Sequence, residues 1–358
     1  MSLAFLQIHN IRNIQSARLN LHPSLNIIVG ENGSGKTSFL ESIYLLGSGH
    51  SFRTREISPL LTHNENTLSV FARTDNGQTI SIQKSVSAVT QVRLDNYPCQ
   101  SSSELAHFLP CQVFYQDLFQ IIDAGPSVRR SLLDWGLFHV EQNYHSLWKN
   151  YRRALKQKNS LLRQRANQKH MDPWNLILTD LANQLDKFRS AYFLKLNQVF
   201  RSLLAQLTDL DCSLLYYKGW DRKGTNKELA QILFDSYTSD LQRQFTQYGA
   251  HQADLIVQAK DFKAKQYLSR GQQKIILFAL KFAQASLIDK PCLFLCDDIS
   301  SELDKAHLTR LFSLIKKTRG QFFITSIDFD SLHFDPETIP FTKFSLQQGN
   351  FDCNVIAN

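Results

Sequence analysis

Residues 27–37 read IIVGENGSGKT: an apolar run, a glycine-rich turn, then a lysine and a threonine that lead into a helical pattern, TSFLESIYLL, at 37–46. Five of the chain's fourteen glycines fall between 30 and 49, so the glycines are concentrated at this turn. Gly30, Gly33 and Gly35 let backbone N–H groups curl inward around an anion, and the dipole of the following helix adds a favourable field. Glu31, Asn32, Ser34 and Ser38 complete the cradle. Lys36 is placed to reach the terminal phosphates of a nucleotide, and Thr37 to ligate Mg2+. A strand before the loop and a helix after it are the context this motif requires. Nucleotide binding is therefore expected, with ATP and Mg2+ as cofactors.

A second part of such a site is expected far along the chain. Residues 292–298, CLFLCDD, form a buried-strand run ending in two carboxylates. An acid at such a strand end holds Mg2+ in nucleotide hydrolases with this loop, and Asp297 fits that role. Asp298 follows where a water-activating carboxylate would stand, one CH2 shorter than glutamate; the alternative is that one of the pair caps the next turn. Slow hydrolysis follows as an expectation. Ser269-Arg270-Gly271-Gln272 lies 28 residues before Asp297, which leaves room for one helix and the acidic strand. Read alone, Ser269 is equally a helix N-cap. Asp304 ends the stretch Ser301-Glu302-Leu303-Asp304. Gln116 follows the apolar run Val113-Phe114-Tyr115, where it either approaches metal and water or is a solvated loop residue.

In this order, signature turn, helix, acidic strand and S-x-L-D loop resemble the ABC-type ATPases. In that superfamily the signature turn completes the nucleotide site of a second subunit. The resemblance therefore implies an ATP-dependent homodimer with two sandwiched nucleotides, in which Ser269, Gly271, Gln272 and Asp304 face the partner's ATP. The segment FITSI (323–327) carries no histidine where transporter-type members have one, which speaks against a transporter subunit.

The net charge is +8, and the stretch 149–169 has a positive excess of that same size. It contains Lys149, Arg152, Arg153, Lys156, Lys158, Arg163, Arg165 and Lys169 and no acid. Such a field attracts polyanions without reading sequence. A solvated basic face is the competing reading. The first thirteen residues lack the pattern of a secretory signal, and no apolar run is long enough to span a bilayer. Six cysteines without metal-ligand spacing suit buried thiols. A cytoplasmic protein without a membrane partner is expected.

Strand-like alternation dominates the first 110 residues, with a hairpin turn at Asp75-Asn76-Gly77. Helical spacing takes over from about 127 to 206, with a break expected at Asp172-Pro173-Trp174. Strand–helix–strand alternation returns at 255–325, and a hairpin at the end turns near Gly349-Asn350. The fold class expected is α/β: an ABC-type P-loop ATPase head with an antiparallel β subdomain and an inserted helical arm. The expected boundaries are 1–124 for the first part of the head, 125–240 for the arm and 241–358 for the rest of the head.

Taken end to end, the chain resembles the RecF family of bacterial recombination-repair ATPases, whose heads are similar to those of SMC proteins. The resemblance is carried by IRNIQSARLNL, GENGSGKTSFLESIYLLGSGHSFR, GPSVRRSLLDWGLFH, LKQKNSLLRQ, YGAHQADL, LSRGQQK and CDDISSELD. Ala250 in YGAHQADL stands where relatives commonly have proline, and Gln116 where some do. The family implies DNA as a partner, bound at single-strand gaps or junctions, and loading of RecA with RecR and RecO during repair, replication restart and the SOS response. It implies that Arg53 in SFR contacts phosphate or DNA, against the alternative of an exposed salt-bridging arginine. Candidate DNA contacts are Arg53, Arg152, Arg153, Lys156 and Lys158. Arg129 and Arg130 match a paired-arginine feature that either orients the arm or binds DNA. The alternatives weighed are an ABC transporter subunit, a P-loop kinase and another SMC-like ATPase.

Overall fold

The sheet that carries the glycine-rich loop draws its strands from both ends of the chain. In the computed structural model the described residues are 1–115, 125–222, 224–259, 262–263, 268–301 and 303–357. They divide into two compact units, one of Met1–Leu118, Gln206–Thr208 and Ile288–Asn358, the other of Phe119–Ala205 and Asp209–Leu287.

In the first unit, β3 (Leu25–Val29) lies between β13 (Gly320–Ser326) and β14 (Phe341–Gln347), parallel to both. The sheet continues through β12 (Cys292–Cys296) to β8 (Cys111–Phe114), again in parallel, and ends on its other side with β15 (Asn350–Ala357), antiparallel to β14. All five residues of β12, CLFLC, are buried, as a central parallel strand covered on both faces requires. The register aligns Val29 with Ser326, and Cys296 with both Ile324 and Phe114. The residues that follow these strands therefore gather at one edge, the carboxyl edge where open α/β sheets bind ligands. Helix α1 (Lys36–Ser48) leaves that edge and buries Phe39, Leu40, Ile43 and Leu46.

A second, antiparallel sheet in this unit has the order β2-β1-β4-β5-β6-β7. Its strands are β1 (Leu3–Ile11), β2 (Ile14–Asn20), β4 (Thr67–Thr74), β5 (Thr79–Ser85), β6 (Gln91–Leu94) and β7 (Tyr97–Pro98), after which comes the short helix α2 (Ser102–Phe108). Alternate residues Leu68, Val70 and Ala72 of β4 are buried and join one core with Phe39 and Phe344. The β4–β5 hairpin turns at Asn76-Gly77, as its sequence leads one to expect. The last hairpin turns at Gln348-Gly349, both with positive φ, one residue earlier than expected.

The second unit is built on α3 (Pro126–Val140), α4 (Tyr144–Arg163) and α5 (Gln168–Leu207). The expected break at Asp172-Pro173 is absent: α5 runs for 40 residues with Pro173 inside it. Proline near the start of a helix removes only one of the first backbone bonds, and a buried stripe of Leu178, Ala182, Leu185, Tyr192, Leu196 and Phe200 holds the rest. A small antiparallel sheet of β9 (Cys212–Tyr217), β10 (Asp254–Ala259) and β11 (Phe262–Lys263) completes the unit, together with α6 (Leu229–Asp235), α7 (Tyr237–Arg243) and α8 (Arg270–Ser286). This compact unit extends to Leu287, and β10 pairs with β9 across six residue pairs, which keeps 254–259 in it.

The segment YGAHQADL is the hub of the second unit. Arg189 of α5 has no exposed surface and donates to Tyr144 Oη at 2.9 Å, Asp134 Oδ1 at 2.8 Å and the Ala250 carbonyl at 2.6 Å. Arg129 grips Asp254 with two bonds of 2.9 and 2.8 Å, and Arg130 donates to the Ala253 carbonyl at 2.7 Å. The arginine pair therefore ties α3 to the hub.

His251 lies against Tyr151, whose hydroxyl is 2.7 Å from Nδ1, while Nε2 faces the Thr246 carbonyl at 2.9 Å. The carbonyl can only accept, so Nε2 carries the proton and Nδ1 accepts from tyrosine. Burial pushes the pKa of His251 down to about 4. Below the ordinary histidine value the unfolded chain binds a proton that the native one refuses, so stability falls as pH drops from about 6.5 to about 4, by up to about 3 kcal/mol. All four tryptophans, Trp135, Trp148, Trp174 and Trp220, lie in the second unit, so their fluorescence reports its unfolding alone. Urea titrations followed this way should show that acid-induced loss, and His251→Gln should flatten it.

Candidate functional site

The loop between β3 and α1 is shaped by contacts that tolerate little side-chain bulk. A Cβ on Gly30 would lie 2.3 Å from the Leu346 carbonyl oxygen. Gly35 has φ +115°, and a Cβ there would stand 2.9 Å from the Asn13 amide. The Asn13 side chain donates to the Gly33 carbonyl at 3.1 Å and accepts from Ser38 Oγ at 3.2 Å. On the far side, the β14–β15 turn is pinned to the loop by Gly349 N–H donating to the Ser34 carbonyl at 2.8 Å. The loop is thus clamped before any ligand arrives. The helix itself leaves the first N–H groups of α1 unsatisfied, at the positive end of its dipole.

Lys36 is buried, with Nζ 2.6 Å from the Gly30 carbonyl and 3.1 Å from that of Glu31. Its ammonium stands inside the loop's curve, where an anion would find it. Thr37 Oγ1 donates to Asp297 Oδ2 at 2.8 Å, joining residues 260 positions apart in the chain. Thr325 Oγ1 donates to Asp297 Oδ1 at 2.9 Å and accepts from the Asp298 N–H at 2.8 Å. Burial raises the pKa of Asp297, and the nearby Asp298 charge adds to the rise, while the two threonine bonds and Lys36 oppose it. A carboxylate held under such strain favours a cation beside it.

The residues present fit a nucleotide with a divalent ion: a glycine cradle, an ammonium within it, and a hydroxyl paired with a carboxylate at its base. Thr37 and Asp297 would hold Mg2+, which would supply charge neutralisation for the phosphates. Asp298 adopts φ 48°, and its Oδ1 is buried with no hydrogen-bond partner among the described residues. Asn13, Asn32, Gly33, Gly35, Lys36 and Thr37 face a cavity of about 350 Å3 with Arg53, Asp297 and Asp298.

Arg53 therefore lines the same cavity as Lys36, Thr37 and Asp297. Its turn is held from beneath. Glu41 of α1 is fully buried, receives both Arg12 nitrogens Nε and Nη2, and accepts from the Ser51 hydroxyl. Ser51 Oγ in turn accepts from the Arg53 N–H at 2.9 Å. Asn13, Glu41, Ser51 and Thr325 went unread in the sequence. The IRN run and Glu41 as the one acid in the helical stretch TSFLESIYLL were the available signals.

Other expected residues lie elsewhere. Ser269 caps α8, accepting from the Gln272 N–H at 3.3 Å, while Gln272 Oε1 accepts from the Ser269 N–H at 2.9 Å. Arg270 and Gly271 are exposed. Asp304 caps α9 (Lys305–Lys317), accepting from the His307 N–H at 2.9 Å, with its pKa lowered chiefly by that bond. Gln116 lies outside the described residues. Arg152, Arg153 and Lys156 are exposed on α4, but Lys158 is not. It is 2% exposed and sits 3.5 Å from the buried Asp240, so it drops out of the candidate DNA contacts. Lys158 occupies the same helical face as Tyr151, Ala154 and Leu162, which explains its burial.

Comparisons with known proteins agree with this architecture. The family model described as RecF/RecN/SMC N terminal domain matches residues 2–343. Proteins named DNA replication and repair protein RecF from Azotobacter vinelandii and Shewanella baltica are each 37% identical to this chain, over 98% of both sequences. A solved structure described as the recombination mediator protein RecF-ATP in the RecFOR pathway has a TM-score of 0.83 at 24% identity, covering 98% of this chain and 99% of that one. An Smc head bound to the C-winged helix domain of ScpA has a TM-score of 0.62 at 17% identity, covering 99% and 97%. The fold is thereby that of ABC-type ATPase heads.

Removing Glu41 would strip Arg12 of its buried partner and free Ser51. Glu41→Ala should cost about 2–3 kcal/mol, below the figure for fully buried pairs because Arg12 is partly exposed. Chemical denaturation measures this, and Glu41→Gln, which keeps hydrogen-bonding capacity, should lose less.

Proposed function

This chain belongs to the RecF family within the RecF/RecN/SMC group, and from that premise we propose that it is an ATP-gated DNA-binding clamp of recombinational repair. ATP and Mg2+ bind at the loop, with Lys36 on the phosphates and Thr37 and Asp297 on the metal. A second copy closes over them with Ser269, Gly271 and Gln272 of its signature turn and with Asp304. Asp298 and Gln116 serve hydrolysis, which is slow and releases the DNA. The protein acts in the cytoplasm at single-strand gaps and junctions and promotes RecA loading with RecR and RecO.

One observation carries the dimer reading. The signature turn stands at the start of a 17-residue helix with its hydroxyl and amide already locked in a capping box, and nothing lies within 4 Å of a Cβ built on Gly271. The turn is preorganised and open, as a surface that a second molecule's phosphates approach should be. The DNA reading is supported by the exposed face of α4, where Lys149, Arg152, Arg153 and Lys156 project without a nearby acid in sequence. Such cations grip phosphates irrespective of base sequence.

Mass measurement with and without ATP tests the assembly. ATP should raise the dimer fraction of the wild type and leave Lys36→Met and Ser269→Arg unchanged; normal dimerisation by both variants would remove the mechanism. For DNA, reversing Arg152, Arg153 and Lys156 to glutamate should weaken duplex binding and reduce the logarithmic salt slope by about 0.9 per lost phosphate contact. An unaltered slope would take α4 off the DNA surface.

A further inference from the structure

The second unit holds a cavity of about 840 Å3 that has no part in the nucleotide site. Its walls come from two segments, one with residues 219–222, 225 and 227 and one with 245, 247, 248 and 252, and from α6 and α7. These segments are fixed against each other. Gly219 has φ +99°, and a Cβ there would lie 2.2 Å from the Gly249 carbonyl oxygen and 2.5 Å from the Ala253 nitrogen. The Gly249 N–H donates to the Gly219 carbonyl at 3.2 Å. No residue but glycine permits so close a crossing, so the cavity is formed before any ligand arrives.

The chemistry of the lining is uneven. Trp220 is 4% exposed, and Lys218 Nζ stands 5.3 Å from its ring centroid. Phe245 and Tyr248 are 43% and 40% exposed, and among the described residues neither ring stacks on another. The carboxylates are already engaged. Asp221 accepts from the Thr225 N–H and hydroxyl and from the Asn226 N–H, at 2.6–2.8 Å. Asp235 is 3.5 Å from Lys227 and accepts from Gln231 at 2.7 Å. Arg222 and Arg243, by contrast, are exposed and have no ion-pair partner among the described residues. What remains for a ligand is aromatic faces and two exposed guanidinium groups.

We infer that this cavity holds a segment of single-stranded nucleic acid, with bases stacked on Tyr248 and Phe245 and phosphates met by Arg222 and Arg243. Aromatic faces flanked by cations are the means by which proteins hold single strands without reading sequence. The cavity's walls are also tied to the basic helix. Thr246 on its wall segment donates through N–H and hydroxyl to Asn159 Oδ1 of α4, both at 2.9 Å, and Asp240 of α7 pairs with Lys158. Its walls are therefore braced on the helix that carries Arg152, Arg153 and Lys156. The inference rests on the DNA-binding reading above and extends it from duplex backbone to an unpaired strand.

The test compares a fluorescein-labelled oligothymidylate with a blunt duplex, by anisotropy, using the full chain with ATP and Mg2+. Tyr248→Ala and Phe245→Ala should each weaken strand binding about tenfold while duplex binding stays at the wild-type value. Arg222→Ala with Arg243→Ala should act in the same direction. Tyr248→Trp should retain binding, because it keeps a π-face. All four side chains are exposed, and unchanged tryptophan-monitored unfolding will confirm the fold. Undiminished strand binding by the ring variants overturns the inference, as does equal loss for strand and duplex. Loss of binding to an acidic polyglutamate peptide with strand binding intact would make the occupant a protein segment and equally overturns it. Failure of the wild type to bind duplex would instead strike the DNA reading itself.

Discussion

One half-buried carboxylate, Asp297, governs the first unit. Asp297 is gripped on one oxygen by Thr37, 260 positions away in the chain, and on the other by Thr325, 28 positions on, so three chain segments meet at one group. The parallel register of β3, β13 and β12 is what makes the meeting possible, because it ends the three strands at the same edge. Burial makes the ionised form costly, and its neighbour Asp298 makes it costlier. The fold tolerates this because a cation beside Thr37 and Asp297 would relieve it. The residues in that sense fit a metal with its phosphates, and the glycine loop, clamped by Asn13 and Gly349, fits as the matching cradle.

The parts of this site that were legible in the sequence are those whose chemistry depends on local order. GENGSGKT specifies its own turn and helix start, and CLFLCDD its own buried strand and acidic end. Asn13, Glu41, Ser51 and Thr325 were not legible, because each acts through a partner brought near only by the tertiary fold. Thr325 sits in an apolar strand, where a threonine reads as an ordinary β-branched residue; only the register shows that it faces Asp297. Lys158 failed for the opposite reason. Its charge suggested solvent, whereas its helical phase with Tyr151 and Leu162 places it inside, facing Asp240.

The fold was legible at the level of class and less so at its seams. Proline at 173 reads as a stop, yet tertiary packing along Leu178 to Phe200 keeps α5 continuous, since one missing bond in an early turn is a small loss against that buried stripe. Likewise, resumed strand spacing after 254 suggests the head resumes, but β10 finds its partner in β9 and stays with the helical unit. Strand character is local, whereas the choice of partner is not. The YGAHQADL segment shows the same principle in a favourable case: its meaning emerges only when Arg129, Arg130, Arg189 and Tyr151 are seen to converge on it.

The central claim is that each nucleotide site is completed by a second copy of the chain. Mixing two inactive variants tests it most directly. Lys36→Met lacks a working cradle but keeps an intact signature turn, and Ser269→Arg has the reverse defect. Each alone should hydrolyse no ATP above background, whereas an equal mixture should regain activity, up to about a quarter of the wild-type rate, since half the dimers would then carry one complete site of two. No recovery on mixing, with both variants folded, would contradict the account, and so would wild-type hydrolysis by Ser269→Arg alone.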